Sequence, residues 1–211
     1  MLPNSFLRYI TLAGAGLLLI GCGADTPTGS ERAGALERLP AFSSLSQSEI
    51  AQTLAELRQH TAPWHNMAKA EEAGYTTMLG CIDERVVEGV NPEIARGMGY
   101  HPANLALFDD EVDLLNPETL VYGLQPGGKL RLAAFDYFIP ASETWPSPED
   151  GGQPPSLSEL GVPFTWSPVH NGWMFHIWAW WENPDGMFAN FNPTMPVCEC
   201  ELDPQIGACL P

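Results

Sequence analysis

Glycine and proline occur throughout this chain so often that a bundle of long helices is disfavoured. The sequence holds 20 glycines and 20 prolines in 211 residues. Both residue types interrupt helices and mark turns, so the pattern favours short elements joined by many loops. Hydrophobic residues make up 45% of the chain, which is enough apolar material for an ordinary globular core.

The charge of the chain excludes one large class of partners. Nine lysines and arginines stand against 26 aspartates and glutamates, for a net charge of −17. Such a chain repels phosphate backbones, and its few basic residues are scattered, so we expect no nucleic-acid partner.

The N-terminal segment predicts export and a lipid anchor. The apolar run Ile10–Ile20 is too short to span a bilayer but suits the core of a signal peptide. It ends in Leu19-Ile20-Gly21-Cys22, which resembles a bacterial lipobox and implies a lipidated Cys22. The alternative is a plain signal peptide with a chance cysteine. We therefore expect a signal peptide over 1–21, a flexible tether over 22–40 and one folded domain over 41–211.

The predicted location follows from that anchor. Asp25 is not adjacent to the cysteine, since Gly23 and Ala24 intervene. This arrangement favours the outer membrane of a bacterial cell envelope, facing the periplasm or the exterior. The acidic chain would avoid anionic lipid, so attachment to the membrane should depend on the acyl chains alone.

Two helices are predicted at the start of the folded part. Ser46 and Glu49 form a capping-box pattern, and apolar residues at helical spacing follow over about 47–59. Thr61 and Pro63 are suited to start a second helix, which should end near Ala73, with Gly74 as its left-handed exit.

The rest of the chain predicts antiparallel strands. Runs at 120–122 and 129–138 flank Gln125-Pro126-Gly127-Gly128, which is typical of a hairpin. A third strand over 173–181 is apolar on both faces and should be covered on both. Strict alternation would place Leu130, Leu132, Ala134, Asp136 and Phe138 on one face of the second strand. Together these elements predict an α+β fold, in which N-terminal helices pack on a curved antiparallel sheet stapled by disulfides.

Apart from Cys22, four cysteines remain, an even number that suits an oxidising compartment. Cys198 and Cys200 are too close in sequence to pair without strain, which leaves two of the three pairings open. Of these we favour Cys81–Cys198 with Cys200–Cys209. A zinc site is the competing interpretation, although C-x-C lacks the usual knuckle spacing.

Three side chains are candidates for a metal site. His176 is the ionisable residue within its apolar strand, and Asp136 interrupts an apolar strand face. His101 follows two glycines, Gly97 and Gly99, that permit unusual backbone angles. Two imidazoles and a carboxylate suit zinc, copper or non-haem iron. They equally suit a structural His–Asp hydrogen bond within a core. His60, His65 and His170 are expected at exposed positions, although His65 or His170 could complete a site.

Several short motifs lie between about Thr61 and Cys198: Gly-Met-Gly-Tyr-His at 97–101, Pro117-Glu118, Leu-Val-Tyr at 120–122, His-x-Trp-x-Trp at 176–180, Asn-Pro-x-Gly-Met-Phe-Ala at 183–189 and Asn192-Pro193. Together they resemble the motifs of a family of secreted bacterial hypothetical proteins of unknown function. The resemblance implies a shared domain and no particular activity. At Asp136 the family carries glutamate.

The sequence thus leaves three hypotheses on function. The first is a lipid-anchored envelope protein that binds a small ligand or a metal ion in a pocket walled by aromatic and acidic side chains: Tyr100, Glu118, Tyr122 and Trp178. A divalent transition metal would be held by His101, Asp136 and His176. The second is a metal-dependent hydrolase or oxidoreductase that uses the same histidines. The third is a structural lipoprotein without a pocket.

Overall fold

A computed structural model describes residues 46–87, 89–157 and 162–199. The helices are α1 (Gln47–Thr61), α2 (Met67–Glu72) and α3 (Glu84–Val87), with 3₁₀ turns at Ala62–His65, Leu105–Leu107 and Pro148–Asp150. The strands are β1 (Thr77–Asp83), β2 (Gly97–Ala103), β3 (Thr119–Leu124), β4 (Leu130–Pro140), β5 (Ser156–Leu157), β6 (Val162–Pro163), β7 (Thr165–Ser167) and β8 (Gly172–Ile177). The predicted signal peptide, Cys22 and tether, as well as Cys200 and Cys209, lie outside the described residues.

The helical region begins as predicted and then departs from prediction. Ser46 accepts a hydrogen bond from the Glu49 amide, and the Glu49 side chain caps Ser46 in return. The predicted second helix is instead a 3₁₀ turn followed by α2. Asn66 separates them: its backbone is extended and its side chain accepts from the Ala68 amide, so the helix restarts there.

Six strands form one antiparallel sheet in the order β1-β2-β3-β4-β8-β7. The hairpin predicted around Gln125–Gly128 joins β3 to β4. The strand β7 comes from the proline-rich segment between β4 and β8. Part of that segment therefore belongs to the sheet edge, and its Phe164 is buried. The predicted α+β class, with helices on a curved antiparallel sheet, is confirmed.

One side of the sheet is covered by the N-terminal helices and holds the main core. Leu54 and Leu57 of α1 are buried there against aromatic and aliphatic residues of the strands. The strand members of this cluster include Leu132, Phe135, Tyr137, Ile139, Trp173, Phe175 and Ile177. We refer to this side as the helix face.

A bulge in β4 interrupts the alternation of side chains that the sequence predicts for this strand. Val121 pairs with Ala134 but Tyr122 pairs with Leu132, so Ala133 is an extra residue in the strand. The side chains before Ala133 therefore change face. Leu132 joins the core on the helix face, whereas Asp136 lies on the opposite face, and the prediction that the two share a face is wrong.

A disulfide joins the sheet to the C-terminal segment. Cys81 of β1 is bonded to Cys198, with 5.8 Å between the Cα atoms, which confirms the first predicted pairing. Asp83 supports the same junction because its carboxylate accepts from the Cys198 amide and pairs with Arg85. No helix in the described part of the chain has the length and apolar character needed to cross a bilayer.

Candidate metal centre

The register of the sheet places two of the candidate ligands side by side. Asp136 of β4 lies directly opposite His176 of β8, and opposite Thr119 of β3 on its other side. Cross-strand partners point to the same face of a sheet. Both side chains therefore project from the face opposite the helices.

The curl of the sheet adds His101 to this pair. His101 lies on β2, three strand spacings from β8, which would be about 14 Å in a flat sheet. The imidazole centroids of His101 and His176 are only 6.3 Å apart. The sheet must therefore curl around this face, so the face that carries the three side chains is concave. We call it the concave face.

A glycine two residues before His101 permits the close packing of β2 on β3. Gly99 has a φ of +113°, a conformation that favours glycine, and a Cβ there would lie 2.6 Å from the carbonyl oxygen of Tyr122. The Gly99 carbonyl oxygen lies 2.8 Å from Nδ1 of His101. If Nδ1 carries the ring proton and donates a hydrogen bond to that oxygen, Nε2 is unprotonated and presents its lone pair.

The three side chains are buried, and several of their polar atoms have no hydrogen-bond partner. His101, Asp136 and His176 are 0%, 3% and 1% exposed. The unpartnered atoms are Nε2 of His101, Oδ1 of Asp136 and both ring nitrogens of His176. Leaving such an atom unpaired inside a protein costs about 1–3 kcal/mol.

The candidate ligand atoms converge on one point. One atom from each of His101, Asp136 and His176 lies within 4.8 Å of the others. Nε2 of His176 and Oδ1 of Asp136 are 3.6 Å apart, too far for a normal hydrogen bond. Two ligand atoms on one zinc ion are separated by about 3.3 Å. Side-chain movements of roughly 1 Å would therefore close the group around an ion.

Electrostatics keep the histidines neutral. Burial lowers the pKa of His101 to about 3 and that of His176 to about 3. Burial also raises the pKa of Asp136 well above its usual value, and nearby Glu118 raises it further. A neutral imidazole is the form that coordinates metals, and a cation among these groups would favour the ionised carboxylate.

Two cavities open beside these residues. The larger, of about 430 Å³, includes His101 and Asp136 in its wall, and the smaller, of about 150 Å³, includes His176. His170 and Met174 line both cavities. The candidate ligands are thus buried in the protein but adjoin space that another molecule could enter.

His170 is the nearby residue that the sequence indicated least clearly. Its Nδ1 lies 2.9 Å from Oγ of Ser167, in the turn between β7 and β8. The sequence offered only a histidine in a loop, which could complete a site. His65 lies elsewhere, with its ring 4.5 Å from that of Trp180.

Four other predicted pocket residues do not line either cavity. Tyr122 is buried on the helix face, where its hydroxyl donates to the Trp64 carbonyl. Trp178 is buried in a separate small cluster and donates to the Ala189 carbonyl. Tyr100 packs against the disulfide. The carboxylate of Glu118 accepts from the Phe138 amide. In each case the side chain is occupied by contacts within the fold.

Glu118 gives a test of the electrostatics around the centre. Burial raises its pKa to about 8, so the folded state favours the neutral carboxyl. Its contribution to stability is therefore complete below about pH 4.5 and is lost as the pH rises through about 8. We expect Glu118→Gln to remove this dependence and to be the more stable protein at pH 9, by roughly 3–5 kcal/mol. Urea unfolding of both proteins at pH 5 and pH 9 measures the difference, and parallel pH profiles would contradict it.

Comparisons with known proteins yield no relative. No protein-family model, curated protein or solved structure matches the chain. The similarity to secreted bacterial proteins consequently stays a prediction from sequence motifs. Any functional conclusion has to come from the chemistry of the centre itself.

Proposed function

We propose that this protein binds one divalent transition-metal ion through His101, Asp136 and His176 on the concave face of its sheet. The observation that carries the proposal is the convergence of unpartnered polar atoms on three buried side chains. Buried polar groups in proteins are nearly always hydrogen-bonded, so such a cluster needs an explanation. A metal ion would satisfy one ligand atom from each residue at the same time.

The structural alternative accounts for fewer of these atoms. A hydrogen bond between His176 and Asp136 would require the 3.6 Å separation to shorten. It would still leave Nε2 of His101 and Nδ1 of His176 without partners. The metal hypothesis is therefore the better supported of the two.

The ligand set narrows the choice of metal. Two imidazoles and one carboxylate suit zinc, copper or non-haem iron. Three protein ligands also leave at least one coordination position for water or another molecule. The adjoining cavities favour a second function, a metal-dependent enzyme, because they would give a substrate access to that position.

Elemental analysis tests the metal proposal directly. The protein is purified without a histidine tag and incubated in turn with zinc, copper and iron, and excess metal is removed by gel filtration. We expect about one bound ion per chain with at least one of these metals. Failure to retain any of them would overturn the proposal.

The proposed location is the bacterial cell envelope, with Cys22 as the lipid attachment site. The support is the lipobox-like run Leu19-Ile20-Gly21-Cys22 in the sequence. In a bacterial host we expect Cys22→Ser to move the protein from the membrane pellet to the soluble fraction and to abolish incorporation of labelled palmitate. Ser30→Ala, in the predicted tether, is the control and should stay with the membranes. Lipid labelling of Cys22→Ser would contradict the assignment.

A further inference from the structure

The wall of the larger cavity combines a few polar side chains with a hydrophobic majority. His101 and Asp136 lie in its wall, together with Thr119 and His170. The rest of the lining is hydrophobic: Met78, Leu79, Ile82, Phe108, Phe138 and Met174. Its volume of about 430 Å³ falls within the range of small-molecule sites.

The charge of the cavity limits what can bind there. A divalent ion held by two neutral histidines and one aspartate would retain one positive charge. No lysine or arginine of the described residues lines the cavity. A single negative group on a ligand would therefore be balanced at the metal, whereas further charges would lie unpaired against apolar side chains. The net charge of −17 also disfavours polyanions.

Resting on the proposed metal site, we infer that this cavity takes a small apolar molecule that carries one anionic donor group. The donor group binds the metal beside His101 and Asp136. The apolar body lies along the hydrophobic wall that includes Phe108 and Met174. Sugars, nucleotides and phosphorylated compounds are excluded as ligands, because this wall offers little to pair with their polar groups.

A series of alkyl hydroxamates tests the inference, since each has one anionic chelating group and an apolar chain of chosen length. Cobalt(II) is loaded into the full-length protein, its content is measured by elemental analysis, and binding is followed by the visible absorption of cobalt. We expect affinity to rise about fourfold per added methylene from acetohydroxamate upward, until the cavity is full.

Phe108→Asn is the test variant because Phe108 lines the cavity wall from a loop outside the sheet. We expect it to weaken octanohydroxamate binding about tenfold and to leave acetohydroxamate binding within twofold. Leu105→Asn is the matched control in the 3₁₀ turn just before Phe108, as Leu105 is 55% exposed. It should behave like the wild-type protein.

The outcomes separate this inference from the metal proposal. Bound cobalt with no dependence on chain length overturns the apolar ligand class and leaves the metal site standing. A chain-length dependence unchanged in Phe108→Asn also overturns it, because the chain then binds elsewhere. Absence of bound cobalt in the elemental analysis counts against the metal site itself, and the ligand inference fails with it.

Discussion

Alanine at position 176 should abolish metal uptake by this protein. His176 would supply one of the three ligands of the proposed site, and its ring has no hydrogen bond to lose. Changes to residues that merely support a metal ligand cost 10–100-fold in affinity, so removal of a ligand should cost more than 100-fold. Elemental analysis after gel filtration would then find less than a tenth of the wild-type metal content.

Thermal unfolding gives a second readout of the same change. If the proposed site binds metal, metal at 100 times its dissociation constant should stabilise the folded wild-type protein by about 2.7 kcal/mol. For a domain of this size we expect its Tm to rise by roughly 5–10 °C. The Tm of His176→Ala should not respond to the metal.

Two further variants distinguish the loss of a metal ligand from a general effect of the substitution on folding. His60→Ala is the matched control, because His60 is exposed on α1. It should bind metal like the wild-type protein. Asp136→Asn keeps the size of the side chain while removing its charge, so it tests the site even if His176→Ala folds poorly. Full metal retention by folded His176→Ala would contradict the assignment of that ligand.

Loss of the Cys81–Cys198 disulfide should produce the largest fall in stability. The bond closes a loop with a sequence separation of 117. If the cross-link acts by restricting the unfolded chain, replacing both cysteines with alanine costs about 4–5 kcal/mol. Urea unfolding under oxidising conditions measures this loss, and the double replacement avoids a free thiol.

Cys200 and Cys209 provide the comparison for this experiment. The predicted bond between them lies outside the described residues and would close a much shorter loop, worth about 3 kcal/mol at most. The Cys81/Cys198 double alanine variant should therefore be less stable than the corresponding Cys200/Cys209 double variant. A loss below 1 kcal/mol would mean that the Asp83 contacts to Arg85 and the Cys198 amide hold the junction without the disulfide.

The elements that local chemistry controls were the ones that the sequence predicted well. The capping box at Ser46 and the hairpin at Gln125–Gly128 agree with the structure, and each depends on a short motif. The favoured pairing of Cys81 with Cys198 also agrees, although counting the cysteines left two of the three pairings open. The break at Asn66 was not predicted, because the residues on both sides of it follow a helical pattern. The asparagine alone does not show that a new helix begins there.

The candidate metal centre was predicted only as a set of residue types. Asp136 and His176 were singled out because polar groups on apolar strands need partners, and His101 because it follows two glycines. The structure brings these three together. The distances between these three side chains depend on the curl of the sheet across β2, β3, β4 and β8. The alternation of residues within one strand gives no information about that curl. The bulge at Ala133 could likewise not be predicted from the sequence of β4, since it depends on how β4 pairs with β3.

The pocket walls were harder still to predict. Tyr122 and Trp178 are aromatic residues near the motifs, but their polar atoms bond to backbone carbonyls within the fold. Residues that line the larger cavity, such as Phe108 and Met78, look like ordinary core residues in the sequence. Three-dimensional proximity, not residue type, distinguishes the two groups.

The alternation of β4 has a consequence for how this protein can diverge. Asp136 points into the concave face, while its neighbours Phe135 and Tyr137 are fully buried in the core on the helix face. Folding, and the ligand preference proposed for the concave face, would thereby depend on interleaved but separate sets of positions along one strand. Related chains could exchange the hydrophobic lining around the centre, and so accept molecules of another size, while the scaffold that orients the two imidazoles and the carboxylate stays the same.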